Sequence, residues 1–358
     1  MNRRSVVIRA PNWLGDCVMS LPCLEALRDA LPEARLLVAC RDHLCACYEA
    51  HPAVAEIVSA PPAGLASIGS FWRTARLLRK QRLEAGLLLT NSFSSALWLW
   101  LGGVKERIGF ARDGRRLILT RPISPMVNVL AAHQSEYYLH LAGQLGAKPQ
   151  PRLPRLFVPA AGRDEAESLL RRTGVRDTYA VVAPVSAYGP VKDWPAEYFA
   201  WIVERLISEK GWDVLLVGSS GQQAVCERIA SLSQQTAACR GAVRGRAHAI
   251  AGATSLGCLF GILEQAALFL GNDSGGGHAA AALGVPTVVI FGITEPGRTR
   301  PHGQKVAIIG EGGYITPDLR SRCVQRAAIA ALRDIRPEMV WESIQRLLVC
   351  PAESCLHC

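Results

Sequence analysis

Several short motifs that bind phosphate or metal are absent from this sequence. It contains no G-x-x-x-x-G-K-[S/T] loop, and no G-x-G-x-x-G motif follows its first strand-like segment, "RSVVIRA". It also lacks a D-x-D pair and any cluster of His, Asp and Glu at ligand spacing. The two commonest nucleotide-binding loops are therefore excluded, and we expect neither a required metal nor a cofactor.

Long apolar segments are scarce as well. No apolar core of 7–15 residues precedes a small-residue cleavage site near the N-terminus, so we expect no secretory signal. The longest uncharged run, residues 85–104, is interrupted by the polar "TNSFSS". We interpret it as a buried strand at 86–90, a polar loop and a helix, and not as a membrane span. The sequence predicts a cytoplasmic protein, and leaves contact with a membrane surface open.

Nucleic-acid motifs of the RNP or zinc-finger type are missing, although the 358-residue chain carries a net charge of +10 and a pI near 9.2. This charge favours anionic partners such as nucleotides, phosphorylated glycans or acidic membranes. Nucleic acid is the less favoured partner.

Twelve cysteines are present, and most stand inside apolar patterns, where a free thiol behaves as a small core residue. The tail "CPAESCLHC" brings together Cys350, Cys355, His357 and Cys358. A zinc site is conceivable there, but no second half of such a site is evident.

Strand-like and helix-like segments alternate along nearly the whole chain, which predicts parallel sheets covered by helices on both faces. The proline-rich segment 146–160 interrupts the alternation and is interpreted as a linker. We predict an α/β fold with two Rossmann-like, doubly wound domains that face each other across a cleft. The expected boundaries are 1–155, 156–335, and 336–358 for a closing helix and tail.

The segment "NDSGGGH" lies between the strand "ALFLG" and the helix "HAAAALG". Three glycines allow a ligand to approach the backbone, and the exposed amides with the helix dipole attract phosphate. His278, in the first helical turn, is expected to point toward the same anion. The alternative is an ordinary turn capped by Asp273 or Ser274, but capping alone needs fewer such residues.

Two other strand ends carry candidate residues. Lys192 follows the strand "TYAVVAPV" and could neutralise a phosphate as a point charge, or could be a solvated surface lysine. Asp16, in "PNWLGDCVMSLP", either caps the helix expected to begin near Cys17 or serves as a general base. The residues around them do not decide between these alternatives.

These segments together resemble glycosyltransferase family nine, the ADP-heptose:lipopolysaccharide heptosyltransferases. "RAPNWLGDCVMSLPCLEALR" is similar to the N-terminal motif of the family, and "NSFSSALWLWLGGVKERIGFARDGRRLILTRP" to its acceptor-side segment. "GPVKDWP", "AGATSLGCLFGIL" and "NDSGGGHAAAALGVPTVVIFG" resemble its donor-domain motifs. The forms "PNWLGD" and "AYGPVKDWP" look most like the heptosyltransferase II branch.

The resemblance implies a GT-B fold and metal-independent, inverting transfer of heptose from ADP-L-glycero-D-manno-heptose to the lipid A–Kdo/heptose core. We expect a cytoplasmic protein, and peripheral contact with the inner face of the inner membrane is left open. The resemblance implies that Asp16 is the general base. Residues expected to bind the donor are Ser186, Lys192, Asp273, Ser274, Gly275, Gly276 and His278. Residues expected to bind the acceptor are Asn12, Asn91, Arg107, Arg112 and Arg115, with Arg116 as a further candidate. The alternative for these arginines is that they form a solvated basic surface without contact to the acceptor.

Two alternatives stay open. A family member with another nucleotide-sugar donor would keep the same architecture and Asp16. A GT-B-fold nucleotide-sugar epimerase, or a non-catalytic binder, would not need an acceptor.

The chain departs from the family pattern near "RSRCVQRAAIAALRDIRPE". Related sequences often carry more cysteines there, whereas this chain has only Cys323, so we expect no structural cysteine pair in this region.

Overall fold

The computed structural model describes residues 5–60, 68–124, 127–176, 178–240, 244–311 and 322–349. The chain divides into two compact units, of which unit 1 ends at Phe157 and unit 2 begins at Val158. The sequence placed this division two residues earlier. The cysteines of the C-terminal tail and His357 lie outside the described residues, so the zinc interpretation is not tested.

Unit 1 is built on a parallel sheet whose order is β3-β2-β1-β4-β5-β6. Its six strands are β1 (Ser5–Arg9), β2 (Arg35–Cys40), β3 (Glu56–Ser59), β4 (Ala85–Leu88), β5 (Glu106–Phe110) and β6 (Arg121–Ile123). The central strand β1 pairs Val7 with Leu37 of β2 on one side and with Gly86 of β4 on the other. The strand order therefore reverses between β1 and β4, which is the topological switch point of this sheet.

Seven helices accompany this sheet in the described part of unit 1. They are α1 (Leu14–Met19), α2 (Leu21–Ala30), α3 (Ala46–Glu49), α4 (Ile68–Lys80), α5 (Phe93–Leu101), α6 (Val127–Ala131) and α7 (Gln134–Gly143). The sequence predicted one helix where the structure has α1 and α2. The helix breaks at Ser20 because Pro22 has no N–H to donate to the preceding turn.

The long uncharged run folds as interpreted, into β4, a polar turn and α5. Ser92 caps α5 by accepting a hydrogen bond from the Ser95 amide, and Trp98 and Leu99 are buried. Within the described residues, no helix is both long and apolar enough to cross a membrane.

Unit 2 repeats the same topology, with the parallel order β12-β11-β10-β7-β8-β9. Its strands are β7 (Tyr179–Ala183), β8 (Asp213–Leu216), β9 (Ala247–Ala249), β10 (Leu268–Asn272), β11 (Thr287–Ile290) and β12 (Val306–Ile309). The chain leaves β7 toward β8 and β9, then returns to place β10 on the other side of β7. The switch point of this sheet lies between β7 and β10.

The helices of the described part of unit 2 are α8 (Ala160–Thr173), α9 (Ala196–Ser208), α10 (Gln223–Cys239), α11 (Leu256–Glu264), α12 (Gly275–Ala282), α13 (Pro296–Thr299), α14 (Arg322–Asp334) and α15 (Pro337–Val349). Helix α15 adds Val340, Trp341 and Ile344 to the core of unit 2. Helices α8 and α11 lie so close together that a Cβ atom on Gly162 would be only 2.5 Å from the Gly257 carbonyl oxygen.

The four cysteines that the sequence placed in apolar patterns, Cys17, Cys23, Cys40 and Cys258, are buried free thiols. This confirms that they fill the cores as small apolar side chains. The prediction of two doubly wound α/β domains is confirmed as well.

Candidate functional site

In open parallel sheets, ligands bind beyond the carboxyl ends of the strands at the switch point. In unit 1 the two flanking strands are β1, followed by Asn12 and Asp16, and β4, followed by Asn91. In unit 2 they are β7, which leads to Lys192, and β10, which leads to Asp273. Candidate residues thus occupy the switch point of each unit.

Asp16 is the third residue of α1 and not its cap, since the helix begins three residues earlier than expected. Trp13 is the N-cap residue and makes no side-chain capping bond. The Tyr138 hydroxyl, from α7, donates to Asp16 Oδ1 at 3.2 Å. Burial raises the pKa of Asp16, and the bond from Tyr138 opposes part of that shift. The raised pKa brings this carboxyl group closer to the range in which a general base works best.

Asn12 lies between two arginines. Its Oδ1 accepts hydrogen bonds from Arg9 at 2.8 Å and from Arg41 at 3.3 Å. Burial, followed by the nearby charge of Arg41, lowers the pKa of Arg9 to about 10. The amide oxygen of Asn12 is thereby committed to holding two cations at the ends of β1 and β2.

Arg115 is fully buried and holds the loops after β4 and β5 together. It donates to the carbonyl oxygens of Phe110 and Thr90 and to Asn91 Oδ1. Burial lowers its pKa to about 10. None of its surface is exposed, and its hydrogen bonds hold these loops; contact of Arg115 with an acceptor stays a prediction.

Arg107 is also hydrogen-bonded within the protein, and its contact with an acceptor stays a prediction. It is the second residue of β5, at the amino end of the strand, whereas ligands of such sheets bind at the carboxyl ends. Its guanidinium donates to the carbonyl oxygens of Ile118 at 2.8 Å and Val104 at 2.5 Å. Sequence reasoning missed this because the burial of an arginine depends on the tertiary fold.

The other predicted acceptor residues lie where a ligand could reach them. Arg112 and Arg116 are exposed after the carboxyl end of β5. Asn91 is half-buried, and its Nδ2 donates to the Tyr137 hydroxyl at 2.9 Å. Burial raises the pKa of Tyr137, and hydrogen bonds with Asn91 and Arg112 oppose part of that shift. Contact of Asn91, Arg112 and Arg116 with an acceptor stays a prediction.

In unit 2, Lys192 and Asp273 come together. Lys192 ends a 3-10 turn, Pro190–Lys192, and its Nζ lies 2.6 Å from Asp273 Oδ2. Both side chains are largely buried, at 15% and 9% exposure. Thr294, which the sequence analysis missed, donates its hydroxyl to the same carboxylate oxygen at 2.6 Å. Lys192 and Thr294, which lie far apart in sequence, therefore contact the same carboxylate oxygen of Asp273 at the switch point.

Asn272 supports this arrangement from the end of β10, where it is fully buried. Its Oδ1 accepts from the Trp194 amide at 3.0 Å, and its Nδ2 donates to the Pro184 carbonyl at 2.7 Å. It thereby fixes both ends of the loop that carries Lys192. Its position beside Asp273 in "NDSGGGH" was the available signal that it belongs to the site.

Ser186 shapes the same loop from within. It is buried, its amide donates to Asp193 Oδ1 at 2.7 Å, and its hydroxyl donates to the Gly189 carbonyl at 3.3 Å. Burial raises the pKa of Asp193. Contact between Ser186 and a donor stays a prediction.

Ser274 is the N-cap residue of α12, but its side chain makes no capping hydrogen bond. Gly275 and Gly276 begin the helix, and a Cβ atom on Gly277 would lie 2.8 Å from Val289 Cγ2, so close packing requires that glycine. His278 is buried in the first turn, and its predicted orientation toward an anion is not tested. The described residues include no group of three or more His, Cys, Asp and Glu side chains that could hold a metal ion.

Comparison with known proteins gives consistent matches over most of the chain. The profile of glycosyltransferase family 9 (heptosyltransferase) matches residues 71–328. Lipopolysaccharide heptosyltransferase 2 of Salmonella typhimurium is 29% identical over 360 residues, and that of Escherichia coli K12 is 28% identical over 355 residues. Each alignment covers 96% of this chain and 98% of the relative.

Solved structures agree with these matches. The structure of E. coli ADP-heptose lipopolysaccharide heptosyltransferase II superposes with a TM-score of 0.77 at 26% identity, covering 96% of this chain and 98% of that one. A family 9 glycosyltransferase from Veillonella parvula gives a TM-score of 0.80 at 20% identity, over 98% and 99% of the two chains, and shows the fold alone. The predicted α/β GT-B fold class is confirmed.

Proposed function

The chain belongs to glycosyltransferase family 9, and on this basis we propose that it transfers a heptose from ADP-L-glycero-D-manno-heptose to the inner core of lipopolysaccharide. The near-complete coverage of relatives named heptosyltransferase 2 supports the heptose and the acceptor class. The observation that carries the proposal is the pairing of Lys192 with Asp273, 81 residues apart in sequence, at the switch point of unit 2.

Unit 2 supplies the donor site in this proposal. The diphosphate of the donor would compete with Asp273 for the Lys192 ammonium, since both are anions. Thr294 would keep Asp273 in place when Lys192 turns to the diphosphate. The amides at the start of α12 and the helix dipole add further positive potential. Ser186, Ser274, Gly275, Gly276 and His278 complete the proposed donor-binding set.

Asp16 acts as the general base in unit 1. The oxygen of the acceptor hydroxyl attacks the anomeric carbon, Asp16 takes the hydroxyl proton, and ADP leaves with the electrons of the glycosidic bond. In-line attack inverts the anomeric centre. General base catalysis contributes roughly 10²–10⁴-fold to such a rate. Tyr138 is a positioning residue here, because its hydroxyl fixes Asp16 Oδ1 and leaves Oδ2, which accepts no hydrogen bond from the described residues, to take the proton.

The charge that develops on ADP is stabilised by protein groups and needs no metal in this proposal. Preorganised donors aimed at developing charge are usually a large contribution to catalysis. Lys192 and the amides of Gly275 and Gly276 are such donors. Chelator treatment followed by the transfer assay tests the point: undiminished transfer is expected, and loss that added metal restores would contradict it.

The acceptor side uses Asn12, Asn91, Arg112 and Arg116. Asn91 follows β4, Arg112 and Arg116 follow the carboxyl end of β5, and both arginines are exposed. Cations there suit an acceptor that carries carboxylates and phosphates. We further propose that the protein acts in the cytoplasm, in peripheral contact with the inner face of the inner membrane, where a lipid-linked acceptor resides.

The proposal is tested with purified protein and a lipopolysaccharide acceptor that lacks the heptose in question. A panel of ADP-, UDP- and GDP-sugars should give transfer from ADP-heptose alone. Transfer only from UDP- or GDP-sugars would support a family member with another donor. Donor binding or isomerisation without transfer would support a binder or an epimerase, and would overturn the proposal.

A further inference from the structure

Helix α4 presents an exposed face that mixes cations with large apolar side chains. We refer to it as the α4 face, formed by Trp72, Arg73, Arg76, Leu77, Arg79 and Lys80. Trp72 and Leu77 are each 51% exposed, although side chains of their size are usually buried. The opposite side of the helix, with Thr74, Ala75 and Leu78, is buried and anchors α4 to unit 1.

The cations of the α4 face have no carboxylate partners among the residues that the structure describes. The sequence of α4, Ile68–Lys80, contains no acidic residue. None of its four cations forms an ion pair with another residue in the described part of the chain. Some exposed arginines elsewhere do, such as Arg171 with Glu167 and Arg228 with Glu197. The positive potential above α4 is therefore uncompensated locally, which suits an anionic surface.

The apolar character continues onto the neighbouring helix. Helix α5 packs against α4, and its Trp100 is 54% exposed near the helix end. Gly103, just beyond the end of α5, lies beside Arg79: a Cβ atom on Gly103 would be 3.4 Å from Arg79 Cγ. Exposed tryptophans flanked by Arg and Lys are typical of surfaces that lie at the headgroup level of a bilayer.

We propose that the α4 face docks the protein on a bilayer of anionic phospholipid. The inference rests on the proposed peripheral location and adds the surface responsible for it. A second copy of the chain is a poorer occupant, since it would bring like charges together. Nucleic acid would satisfy the cations and stack on Trp72, but it would leave Leu77 in water, whereas a bilayer buries Leu77 as well.

The test measures binding of the full chain to vesicles by flotation, without any acceptor present. We expect binding to vesicles of phosphatidylglycerol and phosphatidylethanolamine, and not to phosphatidylcholine alone. Each cation near an anionic surface contributes about fivefold to affinity, so R73Q/R76Q should weaken binding by roughly 30-fold. W72S/L77S should weaken it by roughly tenfold through lost apolar burial. Binding should also vanish near 1 M salt, where the Debye length is about 3 Å.

The matched control is R171Q/R172Q, which removes two exposed cations from α8 in unit 2. It should bind vesicles like the unchanged protein. Equal weakening by the control, equal binding to phosphatidylcholine, or retention of binding by both α4 variants would overturn the inference. So would stronger, α4-dependent binding to homopolymeric RNA than to the vesicles.

A second assay separates this inference from the proposed function. Transfer to a water-soluble acceptor without its lipid should proceed at the same rate in both α4 variants, because they change no residue of the two switch points. Slower transfer to that soluble acceptor would mean that the α4 face is part of the catalytic machinery, which would contradict docking. Vesicle binding by a protein that transfers no heptose would sink the proposed function and leave the docking surface intact.

Discussion

Replacing Asp16 with asparagine removes the proposed base and changes little else. The side chain keeps its size and an oxygen that can accept the Tyr138 hydroxyl, so the contact at 3.2 Å can persist. Loss of a general base should lower kcat by at least about 100-fold, which corresponds to about 2.7 kcal/mol on the barrier. The proposed donor-binding residues belong to unit 2, so donor affinity should not change.

The assay for D16N measures kcat and KM for donor and acceptor, together with ADP binding by calorimetry. The matched control is D42N, which removes an exposed carboxylate near the end of β2 that accepts a hydrogen bond from Ser59. We expect the control to retain the wild-type kcat. A fall in kcat with unchanged donor affinity assigns Asp16 to the chemical step.

The pH dependence gives a second readout of the same variant. Burial raises the pKa of Asp16, so the base is lost as pH falls through that raised value. The acid limb of kcat/KM should therefore lie above the ordinary aspartate pKa of about 3.9, and D16N should lack it.

Stability should change in the opposite sense to activity. A carboxyl group whose pKa is raised by folding binds protons more tightly in the folded state, so its contribution to stability falls as pH rises through that window. At neutral pH the wild type carries the cost of a half-buried charge that D16N lacks. D16N should thus melt no lower than the wild type at neutral pH, and the difference should shrink as pH drops toward 4. A D16N protein with wild-type kcat, or one that loses transfer only because it unfolds, would refute the reasoning.

The remaining predictions concern the donor site, the arginines and one helix contact. K192M should weaken ADP binding by roughly 10–150-fold in calorimetry, the value of one hydrogen bond to a charged group, and unchanged binding would contradict the donor role. R112Q should raise KM for the acceptor without lowering Tm, whereas R107Q should lower Tm and leave that KM unchanged; the reverse pattern would refute their placement. G162A should cost about 1–3 kcal/mol of unfolding free energy in urea titrations, because its methyl group would meet the Gly257 carbonyl.

The sheet strands and most helices followed from the sequence because their patterns are local. Continuous apolar runs such as "SVVIR" and "TVVI" became fully or nearly buried central strands. Four strands, β5, β6, β9 and β12, were not identified. Of these, β6 and β9 have only three residues each and no apolar run. The break between α1 and α2 was missed, although Pro22 was visible, because apolar periodicity continues across it.

The candidate site was predictable where residues are close in sequence, and less so where the fold brings them together. The segment from Asn272 to Ser274 was predicted as a candidate site because three polar residues are followed directly by three glycines. That Lys192 would pair with Asp273, and that Thr294 would join them, depends on the adjacency of β7, β10 and β11, which no local pattern encodes. Arg112 and Arg115 are alike in sequence but differ completely in burial for the same reason.

The two aspartates at the switch points show how one residue type is given two roles. Asp273 is held by two donors on one oxygen, the Lys192 ammonium and the Thr294 hydroxyl, both at 2.6 Å. Asp16 accepts one hydrogen bond from a neutral phenol among the described side chains, and burial raises its pKa. A carboxyl group that is desolvated and has no cationic partner among the described residues gains most from taking a proton, which suits a base. The sequence alone presents both as polar residues at strand ends. In the structure Asp273 binds Lys192, and the surroundings of Asp16 suit its proposed role as the base that accepts the proton of the attacking hydroxyl.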